Sequence, residues 1–176
     1  MPFHKRFVGS ENKVIREPSL INPALEVSHG DLLLSRANTV DLVGIACIAR
    51  NPRPRLLLSD KSLRLNINKE VAVPEFVEFA LTLQEVRNQI QARATGTSGS
   101  MKNISQEDVR RITLPVPRIE GQAEVVRAVG AADKKIASER ALLDKLKLLK
   151  GGLMEDLLTG RVRVVPGRAL TGQVRA

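Results

Sequence analysis

Arg36 and Asn38 stand two positions apart in the run Gly30 to Gly44, G-D-L-L-L-S-R-A-N-T-V-D-L-V-G. Arginine forks onto guanine and asparagine onto adenine, each through two hydrogen bonds to a base edge. Lys61, Arg64, Arg93 and Lys102 fall in or beside other expected loops, and Thr97, Ser98, Ser100 and Asn103 can donate to phosphate. Taken singly, each basic residue is as well explained by solvation. Taken together, Arg, Asn, Ser and Lys on loops around one small sheet compose a face for duplex DNA. The net charge of +9 favours a polyanionic partner, nucleic acid before an anionic membrane.

Residues for catalysis show no comparable grouping. His4 and His29 are isolated, and neither has a cysteine or acidic residue at metal-ligand spacing. Gly96-Thr97-Ser98-Gly99 lacks the lysine of a P-loop and follows no strand, although its backbone could cup one phosphate. Glu75 and Glu78 read as solvated charges on a helix surface. With four Phe, no Tyr and no Trp, recognition by base stacking is disfavoured. Cys47, the single cysteine, lies in the apolar run Leu42 to Ile48 and reads as a core thiol in a reducing compartment. Met1 to Ser10 has no apolar core, and no apolar run approaches the ~20 residues that cross a bilayer. The expectation is a cytoplasmic, non-membrane chain that binds and does not catalyse.

The elements that must position these residues follow from periodicity and punctuation. Leu32 to Ser35 reads as a strand, Arg36-Ala37-Asn38 as a loop, and Asp41 to Ala49 as a second strand with Gly44 as a bulge. Leu56 to Leu58 and Leu63 to Ile67 read as further strands around a Ser59-Asp60-Lys61 turn. Arg64 alternates with Leu63 and Leu65 and so faces away from the core. Pro74 opens a helix running to Ala94, with Phe76, Val77, Phe79, Ala80, Leu83 and Val86 on its apolar face. Thr95 to Asn103 is a small polar loop. Ser105, with Asp108 three residues on, caps a short helix to Arg111. Thr113 to Pro117 is extended.

From Ile119 to Leu158 the chain carries heptads. Val129, Ile136 and Leu143 recur every seven residues, and Ala132, Leu146 and Leu153 fill the interleaved track with Glu139; Leu157 continues the apolar face. A helix that long cannot bury its own stripe and needs a partner helix. Gly151-Gly152 predicts a break, at about 1 kcal/mol for each glycine in a helix interior. Leu153, Met154, Leu157 and Leu158 would then form a second short helix that Gly160 ends. Val162 to Val165 reads as a short strand. The expected class is α+β: a small mixed α/β domain over 1–116, a long helix over 117–160 forming a coiled-coil arm, and a basic tail over 161–176.

Two segments together resemble the specificity subunits of type I restriction–modification enzymes. One is Gly96 to Gln122, G-T-S-G-S-M-K-N-I-S-Q-E-D-V-R-R-I-T-L-P-V-P-R-I-E-G-Q, with its polar loop, N-I-S turn, P-x-P segment and helix opening near Gln. The other is Leu143 to Val164, which contains L-K-G-G-L-M-E-D-L-L-T-G. Gly30 to Gly44 is also similar to the centre of their target recognition domains. Gly121 departs from the pattern, which commonly has an acidic residue there. The resemblance implies a recognition domain that begins late compared with the family's and reads one half of a bipartite DNA site, followed by a spacer helix that docks methyltransferase subunits. It also implies no catalytic residues here, with S-adenosylmethionine, ATP and Mg confined to partner methyltransferase and restriction subunits. A full subunit has two recognition domains and two spacer helices; this chain has one of each, and a homodimer with antiparallel helices would restore the pair. The alternatives are a coiled-coil assembly or regulatory protein with incidental DNA affinity, and a truncated, non-functional specificity subunit.

Overall fold

The computed structural model describes residues 7–10, 12–96 and 101–163. The chain divides into two compact units, Met1–Ala128 and Val129–Ala176.

The first unit is built on β1 (Leu32–Ser35), the middle strand of a three-stranded antiparallel sheet. β3 (Ala46–Ile48) pairs on one side, with Leu33 opposite Cys47, and β4 (Ser62–Leu65) on the other, with Leu33 opposite Arg64. Alternation explains the triple leucine of β1. Leu32 and Leu34 enter the main core with Val43, Ile48, Val77 and Ile90. Leu33 points to the opposite face, against a smaller cluster of Val27, Ala49 and Leu56.

Several sequence expectations change here. Leu56 to Leu58 is not a strand; it meets Glu26 through a single bridge at Leu57. Only the second half of the Asp41–Ala49 segment is extended. Its first half is a turn, with the Leu42 and Val43 N–H groups donating to the Thr39 carbonyl. Gly44 closes that turn rather than bulging a strand. Its φ is +71°, and a Cβ there would stand 2.4 Å from Ile90 Cγ2. Gly44→Ala is therefore expected to destabilise the unit by about 2–3 kcal/mol, combining left-handed strain with a core clash; urea unfolding measures it.

The helix expected over Pro74–Ala94 is two helices, α1 (Pro74–Ala80) and α2 (Gln84–Arg93). The Thr82 hydroxyl donates back to the Phe79 carbonyl at 2.6 Å, and Leu83 turns extended at ψ 138°. Such back-bonding competes with helix propagation. The break lets Val77 of α1 and Leu81 at its C-cap share one core with Val86 and Ile90 of α2. Glu78, expected on the surface, is buried at 8% exposure. Its Oε1 accepts from the Ile48 N–H at 3.0 Å, and its Oε2 lies 3.5 Å from Arg50, so the carboxylate fastens α1 to β3.

β2 (Ala37–Asn38) and β5 (Lys102–Asn103) form a separate antiparallel ribbon, with Asn38 opposite Lys102. α3 (Gln106–Arg110) begins as expected: the Ser105 hydroxyl accepts from the Asp108 N–H at 3.0 Å.

α4 runs unbroken from Ile119 to Leu158, through Gly151 and Gly152. Glycine weakens a helix without forbidding helical dihedrals, and the leucines, lysines and Met154 around the pair favour helix. Gly160 follows with φ +71°, a common way to end a helix. Arg161 to Arg163 are not strand, and the rest of the expected tail strand lies outside the described residues.

Candidate nucleic-acid interface

The β2–β5 ribbon and the residue before it bring together four of the ten residues singled out for DNA contact, Arg36, Asn38, Lys102 and Asn103. Arg36 and Asn38 were expected in a loop, as were Lys102 and Asn103. Instead Arg36 immediately precedes β2, Asn38 lies within it, and the other two form β5. The backbone of Arg36 is fixed at both ends. Its N–H donates to the Lys61 carbonyl at 2.8 Å, and its carbonyl accepts from the Ile104 N–H at 3.0 Å. Ile104 is fully buried, so this anchor is a core residue. The Arg36 side chain is exposed above it.

Asn38 is half-buried. Its Oδ1 accepts from the Thr39 N–H at 2.9 Å, and its amide donates to Ser35 Oγ over a long 3.3 Å. On the far side of β5, Asn103 exchanges two backbone hydrogen bonds with Thr95, at 2.8 and 2.9 Å. Gly96 permits the hairpin to close: a Cβ there would stand 2.4 Å from the Met101 carbonyl oxygen. The Lys102 ammonium donates to the Gly96 carbonyl at 3.0 Å. Thr97, Ser98 and Ser100 lie outside the described residues.

Lys61 is exposed in the turn whose carbonyl holds Arg36. Arg93, in the last turn of α2, is half-buried and donates to the Gln89 carbonyl at 3.2 Å. Arg64 is engaged within the unit: it pairs with Asp31 at 3.1 Å and donates to the Glu26 carbonyl. Arg36 and Arg64 nonetheless line one open groove of about 880 Å³, floored by Leu63, Leu65 and Leu114. Arg110 of α3 lines the same groove. Sequence reasoning passed it over, although its place at the exposed end of a short capped helix was a usable signal.

Arg87 holds the turn that follows β2. Its guanidinium donates to the Val43 carbonyl at 2.8 Å and to the Asp41 carbonyl at 3.1 Å. Burial lowers its pKa, and the Asp41 carboxylate opposes that shift. Burial also pushes the Cys47 thiol up, with Glu78 adding to the effect and Arg50 opposing it. A raised thiol pKa contributes stability that is present below the ordinary thiol range and lost as pH rises through the folded value. The native thiol is expected to alkylate more slowly than that of the urea-unfolded chain at pH 8, with stability declining above the ordinary thiol range.

Among the described residues no group of three or more His, Cys, Asp or Glu could hold a metal ion, and no helix is long and apolar enough to cross a membrane.

The entry to α4 is also distinctive. The Gln122 side chain is fully buried. Its Oε1 accepts from the Val73 N–H at 2.9 Å, and its Nε2 donates to the Val71 and Pro117 carbonyls at 2.9 and 2.7 Å. A Cβ at Gly121 would meet Pro117 at an ordinary 3.7 Å, so the glycine there is not required by close packing.

A small mixed α/β unit followed by a long helix is also found among known proteins. Over 119 residues the chain is 29% identical to the specificity subunit of the type I restriction enzyme EcoEI of Escherichia coli, an overlap of 68% of this chain and 20% of that protein. Over 106 residues it is 32% identical to the EcoKI specificity subunit of Escherichia coli strain K12, covering 59% of this chain and 22% of that one. This chain is related to type I restriction specificity subunits. The fold agrees: the solved S subunit of a type I restriction–modification system from M. genitalium superposes with a TM-score of 0.57 over 81% of this chain and 41% of that one, at 14% identity. The chain spans about a fifth of the length of these two curated specificity subunits. No protein-family model matches it.

Proposed function

We propose that this chain is the DNA-reading component of a type I restriction–modification system, recognising one half of a bipartite site in duplex DNA. The observation that carries the reading is the position of Arg36 and Asn38. Arg36 projects from backbone bonded to the buried Ile104, and Asn38 lies two positions on in the ribbon opposite Lys102, in a chain related to specificity subunits. Arg36 and Asn38 read base edges. Lys61, Lys102 and Asn103, with Arg93 and the Thr97, Ser98 and Ser100 segment, hold phosphates and set the register. Arg64 contributes from the groove wall, where Asp31 fixes its orientation.

The chain itself catalyses nothing in this reading. α4 docks methyltransferase subunits, and methylation and cleavage belong to methyltransferase and restriction partners that bring their own S-adenosylmethionine, ATP and Mg.

Anisotropy titrations against duplex DNA at several salt concentrations test the phosphate part. The log of the binding constant should fall linearly with the log of salt concentration. Lys102→Ala is expected to weaken binding to all duplexes alike and to reduce that slope by about one. Salt-independent binding, or none by the wild-type chain, would contradict the reading.

A further inference from the structure

β4 is an edge strand, with β1 on one side and no strand on the other. The phase of the ladder decides which of its backbone groups are free. The Ser35 N–H donates to the Ile45 carbonyl and the Ala49 N–H to the Asp31 carbonyl, so the odd-numbered residues of β1 bond toward β3. Leu32 and Leu34 therefore bond toward β4, opposite Leu65 and Leu63. The N–H and C=O groups of Arg64 and Asn66 are left facing out of the sheet. Among the described residues, neither main chain has a hydrogen-bond partner.

Both residues line the open groove of about 880 Å³ that β4 shares with α3 and the segment after it. On that far side Thr113 gives both its backbone groups to the Gln89 side chain, at 3.0 and 3.1 Å, while its neighbours Ile112 and Leu114 line the groove. Leu63, Leu65 and Leu114 make the floor apolar. The charged lining is unbalanced: Arg36, Arg64 and Arg110 against the single carboxylate of Asp60. Asp31 already holds Arg64, but Arg110 makes no ion pair among the described residues.

We propose that this groove takes an extended segment of a partner protein, which adds a fourth strand beside β4 and alternates apolar with acidic residues. An open edge that offers donors and acceptors at strand spacing is matched by another main chain. Alternate side chains of the added strand meet the leucine floor, and acidic ones between them meet Arg110 at the rim. Duplex DNA fits the edge poorly. Its phosphates accept hydrogen bonds and cannot donate them, so the Arg64 and Asn66 carbonyls would stay unpaired. Arg110 has no part in the base readout proposed above, and the strand site stands or falls apart from that reading.

Amide hydrogen exchange on the full chain, followed by NMR, tests it with an end-capped seven-residue peptide alternating Glu and Val. The peptide is expected to bind with a Kd of about 0.1 mM. It should slow exchange at the Arg64 and Asn66 amides at least about tenfold, as edge groups become paired. The same peptide with Lys in place of Glu should bind at least about tenfold more weakly, and Arg110→Glu should narrow that preference by a similar factor. Asn66→Pro removes an edge donor that the β1 ladder does not use, so peptide binding should fall at least about threefold with the fold retained by circular dichroism. If that variant unfolds, the charge exchange at Arg110 still decides. No binding at about 1 mM peptide, or binding without protection of Arg64 and Asn66, would overturn the proposal. So would protection of the same amides by duplex DNA, or by the chain alone as its concentration rises, which would give the edge to nucleic acid or to a second copy.

Discussion

Gln122→Ala is expected to destabilise the first unit by about 3 kcal/mol. The side chain is wholly buried and satisfies three backbone groups. Alanine would leave the Val73 N–H and the carbonyls of Val71 and Pro117 without their side-chain partner and would open a cavity beside them. The effect should exceed that of an ordinary surface change severalfold. Gln122→Glu separates the parts. A carboxylate still accepts from Val73, but it turns an acceptor toward two carbonyls, so most of the loss should remain. Urea unfolding followed by circular dichroism measures both. A change below about 1 kcal/mol for the alanine variant would mean that this clamp does not hold the start of α4 to the segment before α1.

Arg36→Ala and Asn38→Ala carry the second large effect, on specificity rather than stability. Each is expected to reduce discrimination between the preferred duplex and a single-base variant by about 1–3 kcal/mol, the value of one bidentate base contact. The fold should tolerate both. The Arg36 anchor to Lys61 and Ile104 uses main-chain atoms, which alanine retains. Asn38→Ala loses the long amide bond to Ser35 and the bond its Oδ1 accepts from the Thr39 N–H, and water can replace the second because Thr39 is exposed. The salt slope should barely move for Asn38→Ala, since no charge is lost. Retention of wild-type sequence preference by both variants would remove the ribbon from the readout.

What could be read from the sequence was local. β1 announced itself through Leu32 to Ser35, α3 through Ser105 and Asp108, and α4 through its heptads, because periodicity and capping act within a few residues. What escaped depended on distant partners. Glu78 looks like a surface residue until the Ile48 N–H, 30 positions away, is placed over it. Gln122 carries no local mark of its burial; its partners Val73 and Val71 lie 49 and 51 positions upstream. Asn38 read as loop because its strand partner, Lys102, comes from the far side of both α1 and α2. The glycine pair misled in the other direction, since a local cost was outweighed by the helix formers around it. The candidate residues themselves were legible as residue types, but the meeting of Arg36, Asn38, Lys102 and Asn103 at one ribbon was not.

The proposed function requires that this chain read a defined DNA sequence. Selection of bound duplexes from a randomised library by the purified wild-type chain, repeated with Arg36→Ala, tests it most directly. The expected result is one enriched motif, with the position read by Arg36 becoming degenerate in the variant. Enrichment of no motif by a chain that still binds duplex in a salt-dependent way would contradict the claim and leave only an electrostatic DNA binder.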